Sequence, residues 1–551
     1  MPIADRPPNP DGSRSGGELV VDTLVAHGVT AVFLVPGESF LPILDALWER
    51  DEIRRIVCRH ESAAANAASA HAKMTGTPGV CLVTRGPGTT QASVGLHTAL
   101  QDSIPLVMLI GQIPTAHRDR EAFQEIDYRG FLAPLTKWTA EVDRAERLPE
   151  YVARACHTAQ VGRPGPVALA LPEDVLSTQV DGARVSVQPV QQAAPTDADM
   201  QSVQAALDQA ERPLLLLGGS GWTSEGVADI EQFSEAFDLP VAATFRRQDL
   251  ADHDHPNYVG DVGLGINPSL QARIRDSDLL LAVGPRLGEA TTGGYTTPDP
   301  GDTAARLIHV HPGAEELGSV YPAQRGIQAG PVAFARAAAA LRPGREGSWS
   351  AWRADARDDY LAWSTPPEPV GPLDLAHVMV QLRDRLPDAI ITNGAGNYTA
   401  WAHRFLRFHS YPSQLAPTSG AMGYGIPAAL AAALEAPDRP IIALAGDGCF
   451  AMAASELATL HQYHLRVIVI VVNNGMYGTI RMHQERSYPG RPIGTDLVNP
   501  DFARLARSYG LSGETIEQLA DFLPALERAL AVGTSALIEL RTDPAVLTPA
   551  G

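Results

Sequence analysis

Residues 441–475 read IIALAGDGCFAMAASELATLHQYHLRVIVIVVNNG. Two apolar runs, Ile441–Ala445 and Val467–Val472, flank a helical stretch over Ala453–His461. That succession predicts two parallel strands joined by a helix. The first run ends in Gly446-Asp447-Gly448 and the second in Asn473-Asn474. If the strands are neighbours, both polar ends reach one edge of the sheet, where open α/β sheets bind ligands. A carboxylate and a carboxamide there offer oxygen ligands to a small hard cation. The glycines admit phosphate oxygens close to the backbone, and the helix N-terminus adds unpaired amides. Either motif alone reads equally as a turn. It is the interval of 27 positions between Asp447 and Asn474, filled by one helix and one strand, that favours a cation and phosphate site.

The same rhythm extends in both directions. Upstream, strands are expected at Ala31–Val35, Ile53–Cys58, Gly79–Thr84, Leu106–Gly111 and Val167–Leu171, with helices over Gly17–His27, Leu41–Glu49, Glu61–Thr75 and Thr89–Gln101. A middle block has strands at Pro213–Leu217, Leu239–Thr244, Asp278–Val283 and Arg306–Val310. The last block adds Ala389–Asn393 and Ser535–Glu539. Short apolar strands alternating with helices predict an α/β protein with mainly parallel sheets covered on both faces. We expect three doubly wound domains, at 15–185, 195–345 and 370–545, behind a disordered N-terminus over 1–14. A Gln-rich linker over Ser177–Thr196 and a crossover over Arg342–Pro372 separate them. The first and last blocks share length and strand rhythm, which suggests one fold used twice.

Composition narrows the function. The chain has 551 residues and a formal net charge of −20, a poor basis for wrapping nucleic acid. Its four cysteines, Cys58, Cys81, Cys156 and Cys449, are far apart and form no zinc box. The first residues lack the apolar core of a signal peptide, and runs such as VIVIVV are far shorter than the ~20 residues of a membrane helix. A cytoplasmic protein without a membrane segment is expected.

The GDG and NN pair resembles the thiamine diphosphate enzymes that include acetolactate synthase, pyruvate oxidase and benzoylformate decarboxylase. The resemblance spans about residues 15–545 and is closest to the large subunit of acetolactate synthase. It implies three domains, thiamine diphosphate and Mg2+. The metal ligands would be Asp447, the Asn474 side chain and the Met476 carbonyl. Gly446, Gly448, Cys449 and Gly396-Asn397-Tyr398 match diphosphate-contacting stretches, although synthases usually have Gln-His at Asn397-Tyr398. Pro36 and Tyr477-Gly478-Thr479 fall on cofactor-facing positions. Glu61 reads on its own as a favourable charge at a helix N-terminus. The resemblance makes it the acid at N1' of the aminopyrimidine, which activates the thiazolium C2 proton. Met422 would wedge between the cofactor rings while the Gly420 carbonyl holds the 4'-amino group.

Several pocket positions depart from the synthase pattern. Glu38 stands where synthases have Gly and reads as a capping residue or a pocket carboxylate. Arg85 replaces a small residue before Gly-Pro-Gly; it would clamp a substrate carboxylate or neutralise Glu38. Phe123-Gln124-Glu125 and Lys137 keep the synthase text, with Gln124 facing the reacting carbonyl and Lys137 nearer the channel, and Gln112 also faces the pocket. Gly162-Arg163-Pro164-Gly165-Pro166 at the end of the first block, and Gly218-Gly219 and Gly284-Pro285-Arg286 in the middle block, resemble the text of synthases, which bind FAD. Ala290, Asp261-Val262 and His309-Val310-His311 do not, so FAD stays open.

The expected activity is decarboxylation of a 2-oxo acid followed by ligation to an acceptor carbonyl. The rival within the family is a non-synthase decarboxylase, acyltransferase or C–C lyase or hydrolase. The rival outside enzymology is a cofactor-binding relative, against which Glu61, Met422, Asp447 and Asn474 argue. In relatives the site is completed by a second subunit, which implies a homodimer and plausibly a tetramer. A regulatory subunit stays open.

Overall fold

The computed structural model describes residues 12–181, 187, 189–344 and 349–549. The chain divides into two compact units, one up to Gln191 and one from Gln192 onward. The first unit holds one six-stranded sheet and the second holds two. Every pairing within these three sheets is parallel.

Across the first sheet the strands lie in the order Arg54–Val57, Ala31–Leu34, Gly79–Val83, Leu106–Gln112, Pro166–Pro172 and Trp138–Glu141. Across the last they lie in the order Gln414–Leu415, Ile390–Asn393, Ile441–Gly446, Ile468–Asn473, Ala536–Arg541 and Ser512–Ile516. Numbered along the chain, both orders are 2-1-3-4-6-5, so one topology is indeed used twice. The middle sheet runs Tyr258–Val262, Val241–Thr244, Pro213–Leu217, Leu279–Val283, Leu307–His311, Arg325–Gln328, an order of 3-2-1-4-5-6. In each sheet the order reverses beside the chain's first strand, which opens a crevice at the carboxyl ends. In the last sheet that crevice lies between Ile390–Asn393 and Ile441–Gly446, where the GDG motif stands.

Inner strands such as Gly79–Val83, Leu106–Gln112, Pro213–Leu217 and Leu279–Val283 are buried at every position. Covering both faces of a parallel sheet demands this. Helix Glu61–Thr75 is rich in alanine because its neighbours come very close. A Cβ at Gly95 would stand 2.3 Å from that of Ala65, and one at Gly79 would stand 1.9 Å from the Ala68 carbonyl oxygen. That tight seat fixes Glu61 at the carboxyl edge of the sheet. The helix starts on His60, whose ring accepts the Ser62 amide, and ends on Gly76 in the left-handed region.

Several local expectations change. The helix after Thr84 begins at Gly86, not Thr89, with Arg85 at its N-cap. The single helix expected over Ala453–His461 is a 3-10 turn, Ala454–Glu456, followed by a short helix, Leu457–Gln462, and a further helix, Asp447–Ala451, begins at the motif itself. The crossover over Arg342–Pro372 carries a helix, Ser350–Trp363. Of the N-terminus expected to be disordered, residues 1–11 lie outside the described residues, while Arg14–Ser15 pairs antiparallel with Gln179–Val180. The latter strand falls within the expected linker, of which 182–186 and 188 lie outside the described residues.

The two sheets of the second unit are held together by hydrogen bonds between buried polar groups. Gln248 donates its main-chain amide to the Gln414 carboxamide at 2.8 Å, and Gln414 donates back to the Gln248 side chain at 2.9 Å. Asp249 accepts the amides of Ser413 and Gln414, and Arg246 donates to the Pro417 carbonyl. Such contacts make separation costly, because each would leave a buried group unpaired. Among the described residues no helix is long and apolar enough to cross a membrane.

Candidate active site

A cavity of about 270 Å3 opens at the carboxyl edge of the last sheet. Its walls include Gly396, Asn397 and Tyr398 after strand Ile390–Asn393, and Gly446, Asp447, Gly448 and Cys449 at the end of Ile441–Gly446. Asn474, Met476, Tyr477, Gly478 and Thr479 close it from the end of Ile468–Asn473, and Gly420 and Met422 complete it. Asp447 and Asn474 therefore do meet, at the ends of hydrogen-bonded neighbours.

Asp447 is buried. Its Oδ1 accepts the Gly448 amide at 2.9 Å, and its Oδ2 accepts the Gly475 amide at 2.9 Å and the Asn499 side-chain amide at 2.8 Å. Burial raises this carboxyl above the usual carboxylate range, and the hydrogen bonds oppose that rise. These donors are neutral amides, so they solvate the charge without cancelling it. A divalent cation would cancel it. Asn474 Oδ1 accepts the Met476 amide at 3.3 Å, and the Met476 carbonyl accepts the Gly478 amide at 2.9 Å with a second lone pair left over. The donor set is a carboxylate, a carboxamide and a carbonyl, all hard oxygens.

The glycines here answer to packing. A Cβ at Gly448 would meet the Tyr477 ring at 2.4 Å, and one at Gly394 would meet Cys449 Sγ at 2.5 Å. The departures at Asn397 and Tyr398 have internal partners. Tyr398 Oη accepts the Gly394 amide at 3.1 Å and donates toward Cys449 Sγ. Asn397 accepts from Thr479 at 2.8 Å and donates to the Leu547 carbonyl at 2.8 Å. Both side chains thus brace the rim. Met422 packs against the core of the last sheet with part of its surface on the cavity.

In the first unit, Glu61 opens its helix, and its Oε1 is 3.5 Å from where a Cβ would stand on Gly88. The turn Pro36-Gly37-Glu38 presses on Thr84: a Cβ at Gly37 would be 2.5 Å from that of Thr84, and Ser39 Oγ lies 2.8 Å from Thr84 Oγ1. This contact sets Glu38 beside Arg85. Nη1 of Arg85 is 3.6 Å from Glu38, and Nη2 is 3.2 Å and 3.3 Å from the two oxygens of Glu173. The pair with Glu38, whose side chain is 70% exposed, is worth only ~0–1 kcal/mol. Gln124 sits in the left-handed region, and its carbonyl accepts the Gly86 amide at 2.9 Å. Gln112 is buried and folds its Oε1 onto the Ile113 amide. Lys137 does not join these groups: it donates to the carbonyls of Val161 and Arg163 at 2.7 and 2.8 Å.

Four contributors escaped the sequence reading. Asn499 also donates to Asn473 Oδ1 at 2.9 Å, and Asn473 donates to the fully buried Glu539 at 2.7 Å. A lone acid inside the apolar run ALIEL was the available signal for Glu539. Glu173 and Leu547 left none, since each reaches its partner only through folding.

Comparison with known proteins agrees with this geometry. Residues 14–131 match the thiamine pyrophosphate enzyme N-terminal TPP binding domain, 200–338 its central domain and 394–540 its C-terminal TPP binding domain. The chain is 34% identical over 541 residues to the acetolactate synthase large subunit of Parasynechococcus marenigrum, covering 96% of this chain and 87% of that protein. It is 31% identical to acetolactate synthase isozyme 2 large subunit of Escherichia coli, over 94% and 93% of the two chains. It is also 31% identical to a probable acetolactate synthase large subunit of Methanocaldococcus jannaschii, over 97% and 93%. With near-complete coverage by such relatives, and matches to all three domain models, the chain belongs to the thiamine pyrophosphate enzymes, among the relatives of acetolactate synthase large subunits.

Proposed function

We propose that this enzyme holds Mg2+ and thiamine diphosphate in the Asp447 cavity, decarboxylates a 2-oxo acid, and joins its acyl carbon to a second carbonyl compound. The observation that carries this is a buried carboxylate with only neutral hydrogen-bond partners, sharing one cavity with Asn474 and the Met476 carbonyl. When bound, the cofactor supplies a nucleophilic carbon and an electron sink beside the substrate carbonyl.

The residues supply the rest. Glu61 shares a proton with N1' of the aminopyrimidine, and the Gly420 carbonyl accepts from its 4'-amino group. Met422 fills the space between the two rings and so sets their approach. Gly446, Gly448 and Cys449, with Gly396, Asn397 and Tyr398, shape the diphosphate end, and Tyr477, Gly478 and Thr479 close over it. Gln112 and Gln124 orient polar atoms of the substrate, and Pro36 borders the pyrimidine. Glu61 of one subunit serving the Asp447 of another makes the working unit a dimer, with a tetramer as a pair of dimers.

Flavin is left out of this reading. The cavity at the ends of Leu279–Val283 and Leu307–His311 is about 60 Å3, much smaller than the 270 Å3 of the Asp447 cavity. Its Arg286 is already paired with Glu316 at 3.0 Å. Purified enzyme without flavin absorbance supports the omission; stoichiometric flavin overturns it.

The test is incubation with pyruvate, Mg2+ and thiamine diphosphate. Release of CO2 with formation of 2-acetolactate supports the synthase reading, and absence of both rejects pyruvate as substrate. Release of CO2 without acetolactate favours the non-synthase alternative, to which the Glu38–Arg85–Glu173 group already draws attention. Glu61→Gln should bind the cofactor yet lose hydrogen exchange at C2; unchanged exchange removes Glu61 from its role.

A further inference from the structure

Arg85 carries one charge and faces two carboxylates, and the two are held very differently. Its side chain is 8% exposed, locked at the end of strand Gly79–Val83. Glu173, 30% exposed, takes Nη2 with both oxygens inside hydrogen-bond reach. Glu38, 70% exposed, stays at 3.6 Å from Nη1, outside that reach. The buried Nε–H has no acceptor among the described residues. A guanidinium this buried is pre-organised, and its outer face is occupied only by a loosely held, solvated carboxylate.

We infer that Arg85 is a specificity-determining residue that reads the carboxylate of the acceptor substrate, with Glu38 as the resident carboxylate that the substrate displaces. This rests on the carboligation reading above. A third carboxylate cannot simply join the group, because two negative charges already face one positive charge. Exchange with Glu38 keeps the balance, and Glu38 is the partner released more cheaply, being exposed and not hydrogen-bonded to the guanidinium. Glu173 keeps the guanidinium in place during the exchange.

The chemistry selects which carboxylate is read. The donor's carboxylate leaves as CO2, and pairing it with a guanidinium would stabilise it before the bond breaks, which slows the step. The acceptor's carboxylate is retained in the product, so pairing it costs the reaction nothing. The clamp itself makes and breaks no covalent bond. It predicts a 2-oxo acid, not a simple aldehyde, as acceptor.

The experiment is a competition in holoenzyme with pyruvate as donor, and pyruvate and propanal as rival acceptors, with the ratio of hydroxy acid to hydroxy ketone read by chromatography. Arg85→Met should lower that ratio about ten-fold. Glu38→Gln should raise it about three-fold, since the resident competitor is gone. An unchanged ratio in Arg85→Met, or a lowered one in Glu38→Gln, overturns the inference. Should Arg85→Met fail to fold, Glu38→Gln at its exposed position decides alone. Should the wild type release no CO2, the parent reading has failed instead. Calorimetric titration of pyruvate into the loaded enzyme then decides: tighter binding to Glu38→Gln supports the clamp, and equal binding overturns it.

Discussion

Asn499 donates its side-chain amide to Asp447 Oδ2 at 2.8 Å, from a segment 52 residues downstream. The same amide reaches Asn473, so one side chain fixes the carboxylate against the strand that carries Asn474. Groups that orient a metal ligand matter nearly as much as the ligand. Asn499→Ala should therefore weaken Mg2+ binding about 10–100-fold with the fold intact. Titration of Mg2+ in the presence of thiamine diphosphate checks this, and unchanged affinity makes the amide a bystander.

A methyl group at 448 has nowhere to go. Its Cβ would stand 2.4 Å from Cε1 and 2.9 Å from Cδ1 of Tyr477, a ring on the cavity wall. Gly448→Ala must push that ring aside, an overpacking cost of about 1–3 kcal/mol borne at the cofactor end. Cofactor affinity should fall about ten-fold or more at that cost. Adding Tyr477→Ala should return part of it. Equilibrium dialysis of the two variants separates steric displacement from loss of a tyrosine contact.

The inner sheet strands were legible because burial on both faces writes an unbroken apolar run, as in Leu279–Val283. Within the three six-stranded sheets the strands missed were Trp138–Glu141, Tyr258–Val262, Arg325–Gln328, Gln414–Leu415 and Ser512–Ile516, all at sheet edges. An edge strand pairs on one side only, so text such as RGIQ or SGETI carries no such run. The site shows a similar split. Asp447 and Asn474 were legible because an apolar strand ends on each. Asn499 and Glu173 were not, because nothing local distinguishes a loop Asn or a helix-start Glu from solvated ones. The sheets of the middle and last blocks share one compact unit through residues such as Gln248 and Gln414, whose polar side chains give no local sign of burial.

Lys73 and Asp102 form an ion pair in the first unit with side chains only 3% and 0% exposed. Each ends one of two packed helices, Glu61–Thr75 and Gly86–Asp102. Removing one partner leaves the other's buried charge without this counter-ion, so Asp102→Ala should cost about 3–5 kcal/mol, whereas Lys73→Met with Asp102→Leu should recover most of that or exceed it. The chain has several domains and no single unfolding equilibrium. The readout is the calorimetric transition that moves, with hydrogen exchange locating it to residues 61–102. Equal losses in the single and double variants would mean that the pair itself stabilises.

His409 gives a pH dependence whose sign can be worked out. Its Nδ1 lies 2.8 Å from Asp252 and 3.8 Å from Asp254, and Arg407 pairs with Asp254 at 2.6 Å, so the group joins the middle and last sheets of the second unit. The hydrogen bond to Asp252 is the main cause that raises the imidazole above its ordinary value of 6.5; burial and Arg407 oppose it, and the charges of Asp252 and Asp254 add to it. A histidine raised by folding stabilises fully below its unfolded value and loses that stabilisation as pH climbs through the folded one. Wild-type melting alone does not isolate this, because buried His253 and His403, held down to about 3 chiefly by desolvation, destabilise the fold as pH drops below 6.5. Both remain in His409→Asn, so their effect cancels in the difference. The gap in melting temperature between wild type and His409→Asn should be widest near pH 6 and narrow steadily toward pH 8, a window of about pH 5–8 in which histidine titrates. A constant gap across that window would mean that the ring acts by packing and not by its charge.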